Sequence, residues 1–163
     1  GPEPQRTYVE KAILKQAAGL PYKMLLVQGK PETDLAIEGP ENVKIVPFLD
    51  APELSRAIAE SRMVVCRSGY STVMDLAVLG KRALYIPTPG QTEQEYLAEY
   101  LNEKGASLWQ DQKDIRLAEG IAGVLALPEP DMSLVNTRLL EMAVRDFLIA
   151  ASSSEDQMSW VPA

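Results

Sequence analysis

The feature that most constrains this chain is an alternation between two apolar periods. Runs of four to six residues, apolar and partly β-branched, alternate with longer stretches whose apolar residues recur every three to four positions. The runs at 23–28 (KMLLVQ), 43–46 (VKIV), 62–66 (RMVVC), 82–86 (RALYI) and 106–109 (ASLW) read as strands. The stretches at 7–18, 50–60, 71–79, 91–104, 117–127 and 134–151 read as helices. Tyr8, Ala12, Ile13 and Gln16 are spaced around one face of the first helix. Gly19, Gly80 and Gly105 stand where helices stop, and Asp50 with Pro52 behind it marks a helix start. Near-continuous apolar strands separated by helices require a parallel sheet buried on both faces. The expected fold is therefore α/β: a Rossmann-like, doubly wound domain over 1–151, with all five strands in one sheet and a Ser-rich, aperiodic tail at 152–163.

The opening breaks this rhythm. Residues 1–6 (GPEPQR) form a turn-like loop that enters a helix with no strand ahead of it. In a doubly wound sheet the loop opening the first helix follows the first, central strand. The expectation is that the chain lacks that strand and is a fragment of a longer polypeptide. A short coil on a complete five-stranded domain is the alternative.

Composition removes several chemistries. The net charge is −7 and no basic run interrupts it, so the cationic face that a nucleic-acid binder needs is missing. Apolar stretches fall well short of the roughly 18 to 20 residues of a membrane span. A single cysteine, Cys66, precludes an intrachain disulfide and fits a reducing, cytoplasmic setting. There is no histidine, so Ser-His-Asp, Cys-His and His-ligated zinc sites are excluded within this chain. No metal or cofactor is expected.

The most informative stretch is Cys66-Arg67-Ser68-Gly69-Tyr70-Ser71-Thr72-Val73-Met74-Asp75-Leu76, a strand, a glycine turn and a helix start. The first turn of a helix exposes unpaired N–H groups at the positive end of its dipole, which suits a phosphate. Gly69 leaves room for close backbone approach. Asp75 lies one turn beyond Ser71, where a carboxylate can accept hydrogen bonds from a ribose diol. The same residues also describe an ordinary strand-to-helix turn with Ser/Thr caps and a solvated acid. Cys66, Trp109, Tyr96 and Tyr100 read as packing residues, and Lys81 and Arg82 as cations at the end of the preceding helix.

Between Pro47 and Gly105 the sequence resembles the donor-binding C-terminal domain of the family 28 glycosyltransferases. The resemblance rests on Pro47-Phe48-Leu49-Asp50, on Cys66-Arg67-Ser68-Gly69 through Asp75-Leu76-Ala77, and on Gly80 through Pro87 (GKRALYIP). Gln94-Glu95-Tyr96-Leu97 and Glu103-Lys104-Gly105 complete it. It implies one half of a two-domain, GT-B-type inverting transferase that moves a hexose or N-acetylhexosamine from a UDP-sugar to an acceptor hydroxyl. By that resemblance Phe48 and Leu49 line the uracil pocket, and Gly69, Tyr70, Ser71 and Thr72 face the diphosphate. Asp75 takes the ribose-gripping position, where a peptidoglycan-building member of the family has Glu. Gln94 matches the first of two glutamines that read the donor sugar, and Glu95 replaces the second, which puts N-acetylglucosamine as donor in question.

The resemblance further implies that the catalytic base lies outside this chain, on an acceptor-binding N-terminal domain or partner subunit. Peripheral membrane association would come through that absent part, and this chain alone would be inactive. The opening loop departs from the family pattern, because Glu3 stands beside the expected phosphate site with Arg6 near enough to offset it. A nucleotide-sugar hydrolase of the same architecture, and a non-catalytic nucleotide-binding or interaction module, remain the competing readings.

Overall fold

A computed structural model describes residues 3–31, 38–129 and Arg145. Of the helix expected at 134–151 only Arg145 is described, and the tail at 152–163 lies outside the described residues. The elements follow the sequence rhythm: α1 (Gln5–Ala17), β1 (Met24–Val27), β2 (Val43–Val46), α2 (Ala51–Glu60), β3 (Met63–Cys66), α3 (Tyr70–Val78), β4 (Arg82–Tyr85), α4 (Thr92–Glu103), β5 (Leu108–Trp109) and α5 (Leu117–Ala126). A 3-10 turn at Gln112–Asp114, not anticipated from periodicity, precedes α5. No helix among the described residues is long and apolar enough to cross a membrane.

Every strand pairing is parallel, as the buried-strand pattern requires. The expected single sheet is instead two: β1 pairs with β2, and β3, β4 and β5 form a second sheet in that order. No ladder joins β1 to β3 among the described residues. The two sheets nevertheless share one apolar layer. Ala17, Ile13 and Val9 of α1 and Leu117 and Ile121 of α5 pack on Met24 and Leu26, on Val43 and Ile45, and on Met63, Val65 and Ile86. The opposite face of β3–β5 carries Val64, Cys66, Ala83, Tyr85 and Trp109 beneath Val73 and Leu76 of α3 and Leu97 and Ala98 of α4. Alternate strand residues thus feed opposite layers, which is the period-two geometry of a strand covered on both sides. Full burial of a side chain such as Leu76, Leu97 or Leu117 contributes about 1.5–3 kcal/mol.

On α1 the buried face runs through Val9 rather than Tyr8, which is half exposed. Gln16 does face inward, where it donates to Ile115 O and accepts from Leu117 N–H. Helix ends are closed by side chains from elsewhere. Asn42 donates to the carbonyls of Ala17, Leu20 and Tyr22 beyond α1. Lys81 reaches the end of α2 at Ala59 O and Ser61 O, and Arg82 reaches Leu125 O and Leu127 O at the end of α5. Neither cation serves the helix that precedes it in sequence, because each strand-start side chain points across to a neighbouring layer.

Candidate functional site

The parallel ladders align the carboxyl ends of β1 and β2 and those of β3, β4 and β5, and the α1 start contacts both sets, through Arg6 to Gly29 O and through Gln5 O to Arg67; open α/β sheets bind ligands at such carboxyl ends. Arg67, just past β3, organises that edge. Its guanidinium donates to Ile86 O and Pro87 O beyond β4, to Gln5 O at the start of α1, and to Gln112 Oε1 in the 3-10 turn, at 2.6–3.1 Å. Gln112 in turn donates to Gln5 Oε1. Desolvation lowers the Arg67 pKa from its ordinary value, yet a guanidinium stays charged in proteins. Its four acceptors are all uncharged.

Behind it, Ser68 is fully buried and its hydroxyl donates to Gln94 O at 2.6 Å. This bond pins the first turn of α4 to the loop that opens α3. Gly69 is the N-cap of α3 with φ −66°, so no left-handed backbone demands glycine there. A Cβ built on it meets nothing within 4 Å and would project into open space. The α3 N-terminus carries no side-chain cap of its own, so Ser71 and Thr72 do not close it as in an ordinary strand-to-helix turn with Ser/Thr caps. The Tyr70 N–H instead donates to Glu93 Oε1 at 3.4 Å.

Ser71 and Asp75 are both exposed and one turn apart, hence on one face of α3, while Val73 and Leu76 are buried on the other. Phe48 follows β2 and is 50% exposed, an unusual cost for a phenyl ring on a free surface; Leu49 beside it is half-buried. Both precede α2, whose start is fixed by a reciprocal capping box between Asp50 and Glu53.

The first turn of α4 shapes the next loop. Gln94 accepts from Thr88 N–H at 2.9 Å and donates to Gln91 Oε1 at 2.5 Å, so both ends of its amide are engaged. Glu95 accepts from Gly90 N–H at 2.9 Å. It also borders a cavity of about 200 Å³ whose walls include Pro87, Glu99, Trp109 and Asp111. Cys66 is no nucleophile: burial pushes its thiol up to about 12. Tyr96 and Tyr100 stack at 6.1 Å, and Trp109 packs under α4, as their packing reading anticipated. No group of metal-ligating side chains occurs among the described residues.

At the other helix start, Glu3 pairs with Arg6 at 2.9 Å and accepts from Thr7 N–H. The Thr7 hydrogen bond, then Arg6, hold its carboxyl below the usual range. Arg6 also donates to Gly29 O, just beyond β1. Arg67, Gln112 and Glu93 were not singled out from sequence. The visible signal for Arg67 was only an arginine in an apolar strand-to-turn context, and Glu93 had none.

Two parallel sheets that share one apolar layer, with helix starts gathered beyond the carboxyl ends of their strands, define a Rossmann-like α/β domain. Residues 9–140 match the glycosyltransferase family 28 C-terminal domain, and the chain belongs to that family. It is 37% identical over 100 residues to the UDP-N-acetylglucosamine--N-acetylmuramyl-(pentapeptide) pyrophosphoryl-undecaprenol N-acetylglucosamine transferase of Cupriavidus necator, covering 60% of this chain and 26% of that protein. The enzyme of the same name from Methylobacterium nodulans is 32% identical over 133 residues, covering 74% and 35%. The chain therefore spans about a quarter to a third of these relatives. In fold it is similar to the glycosyltransferase SnogD from Streptomyces nogalater (TM-score 0.55, 18% identity, 81% of this chain and 30% of that one). A glycotransferase of kitacinnamycin shares the fold at TM-score 0.58 and 16% identity, covering 91% and 39%. The family and the GT-B-type fold expected from the sequence are both borne out.

The open space at Gly69 yields a steric prediction. Gly69→Ala is expected to leave urea-unfolding stability within about 0.5 kcal/mol of the parent, the range of changes away from packed features. Any nucleotide whose phosphate lies against the turn should bind more weakly to it. A stability loss with unchanged nucleotide affinity, measured by calorimetry, would make Gly69 a folding residue only.

Proposed function

We propose that this chain is the nucleotide-sugar-binding half of a cytoplasmic inverting glycosyltransferase whose acceptor site lies on a second domain or partner subunit. What supports this reading is the family 28 match together with an exposed Phe48 just past β2, an α3 start at Gly69–Thr72 without a cap of its own, and an unpartnered, exposed Asp75 one turn beyond Ser71 on α3. Phe48 and Leu49 would receive the uracil, the α3 N–H groups the diphosphate, Asp75 the ribose diol, and Gln94 and Glu95 the donor sugar. The relatives' names specify a UDP-N-acetylglucosamine donor, and a structural neighbour, glycosyltransferase VinC, is described in complex with DTDP. Glu95, held by Gly90 N–H, leaves the hexose itself open between hexose and N-acetylhexosamine.

In this mechanism an acceptor hydroxyl attacks the anomeric carbon and the bond to the diphosphate oxygen breaks. The proton passes to a base outside this chain, which has no histidine. Negative charge develops on the departing diphosphate, and preorganised N–H groups at the α3 start, reinforced by the cationic Arg67 behind them, stabilise it. Transfer is favoured over hydrolysis because the relatives are named transferases. Any membrane association belongs to the acceptor half.

Asp75 offers the direct test. A charge-assisted hydrogen bond to a ribose diol is worth about 1.5–3 kcal/mol, so Asp75→Asn should weaken UDP binding about tenfold or more. Thermal stability should not change, since the side chain is exposed. Equal UDP affinity in parent and variant would remove the ribose role. A parent protein that binds no uridine nucleotide would leave only an interaction module.

We also propose that the sheet is completed by a parallel strand joined ahead of α1. Met24 and Gln28 donate their N–H groups to Asn42 O and Val46 O on the β2 side, so the intervening alternation turns the Leu25 and Val27 N–H groups to the open edge. Ile86 N–H donates to Cys66 O, which likewise leaves Met63 and Val65 facing away from β4. The α1 start bridges the two edges, through Arg6 to Gly29 O and through Gln5 O to Arg67. On the other side α2 has no buried residue, and Leu25 is 45% exposed. An apolar strand of about four residues would pair both edges and cover these groups. Hydrogen exchange provides the check: the Leu25, Val27, Met63 and Val65 amides should exchange freely in residues 1–163 and become protected in a longer polypeptide that includes the preceding segment. Protection already present in residues 1–163 would contradict the slot.

A further inference from the structure

Resting on the donor-site reading, we propose that Glu93 is a built-in competitor of the donor diphosphate, closing the α3 start in the empty protein and leaving it when the donor enters. The first turn of α4 places three consecutive side chains on backbone N–H groups of two segments: Glu93 on Tyr70 at the α3 start, and Gln94 and Glu95 on Thr88 and Gly90 in the loop before α4. Glu93 differs from its neighbours in bonding the first residue of a helix 23 positions away in sequence. That helix has no cap from its own N-cap residue, which is Gly69. A carboxylate at that point satisfies one orphan N–H and the positive helix end together, as a phosphate would.

The placement is built into the fold. The buried Ser68 hydroxyl bonds Gln94 O at 2.6 Å and fixes the backbone next to Glu93 against the loop that opens α3. The side chain itself is exposed, and its bond to Tyr70 is long at 3.4 Å, so it is free to swing into solvent at little cost. The backbone is anchored and the carboxylate is releasable. A diphosphate approaching Tyr70 N–H meets one negative charge within a few ångströms and has to displace it. Glu93 would then tax phosphate-bearing ligands selectively and leave recognition of the base and ribose untouched.

Binding of uridine and of uridine diphosphate to the intact polypeptide, by calorimetry at low and high salt, tests this. Glu93→Gln keeps an acceptor for Tyr70 N–H but removes the charge. It should bind uridine diphosphate about three- to tenfold more tightly than the parent at low salt, with the gap narrowing as salt screens the charge. Uridine affinity should be unchanged. Glu93→Ala should show the same gain and, without nucleotide, a shifted Tyr70 amide resonance. Glu119→Gln, at an exposed position of α5, should leave both affinities as in the parent. Unchanged or weaker uridine diphosphate binding by both Glu93 variants, with the parent binding normally, overturns this inference alone. Absence of uridine diphosphate binding in every version overturns the donor-site reading and this inference with it.

Discussion

The Arg67 guanidinium is the contact on which the carboxyl edge of this domain depends. One side chain joins the ends of β3 and β4, the start of α1 and the 3-10 turn ahead of α5. Only a planar fork of five donors serves so many acceptors at once. Because those acceptors are carbonyl and amide oxygens, its charge is not cancelled by a carboxylate on the same network. The edge therefore keeps a cation against the α1 start and the 3-10 turn, in a chain whose net charge is −7. Local field and global charge point in opposite directions, and the local one sets what an anionic ligand meets.

Two acids answer that local field from within. Glu3 sits at the start of α1, held by Thr7 N–H and Arg6, and Glu93 sits at the start of α3. Each accepts a hydrogen bond from a backbone N–H in the first turn of a helix. The difference lies in what holds them. The Thr7 hydrogen bond, then Arg6, hold the Glu3 carboxyl below its usual range, whereas Glu93 has a single long hydrogen bond and solvent on its other side. The two helix starts are thus unequally closed, α1 by an ion pair and a hydrogen bond and α3 by one long hydrogen bond.

Much of the fold was legible because it is encoded locally. Apolar period and glycine stops placed β2 on its observed bounds and most other elements within a residue or two. The break between β1 and β3 contradicts the single sheet expected for the five strands, although the opening helix with no strand ahead of it had pointed to a missing central strand. Tyr8 was misplaced on α1 because an aromatic at the right spacing is indistinguishable from a core residue until α5 chooses Val9. Lys81 and Arg82 were read as closing α3, but their reach carries them to α2 and α5. In the site, the turn at Gly69 and the exposed Asp75 were visible as motif residues. Arg67 and Glu93 act through partners 19 to 62 and 23 positions away, and no spacing rule links such residues.

The central claim is that Phe48, the Gly69–Thr72 turn and Asp75 form one nucleotide site on the carboxyl edge. Amide chemical-shift mapping during titration with uridine diphosphate tests it most directly. The account predicts that resonances of Phe48, Gly69, Tyr70, Ser71 and Asp75 move together with one dissociation constant, while those of α5 from Leu117 to Ala126 stay fixed. Shifts centred on the cavity between Pro87 and Asp111, or on α5, with Phe48 and the Gly69 turn unmoved, would contradict it.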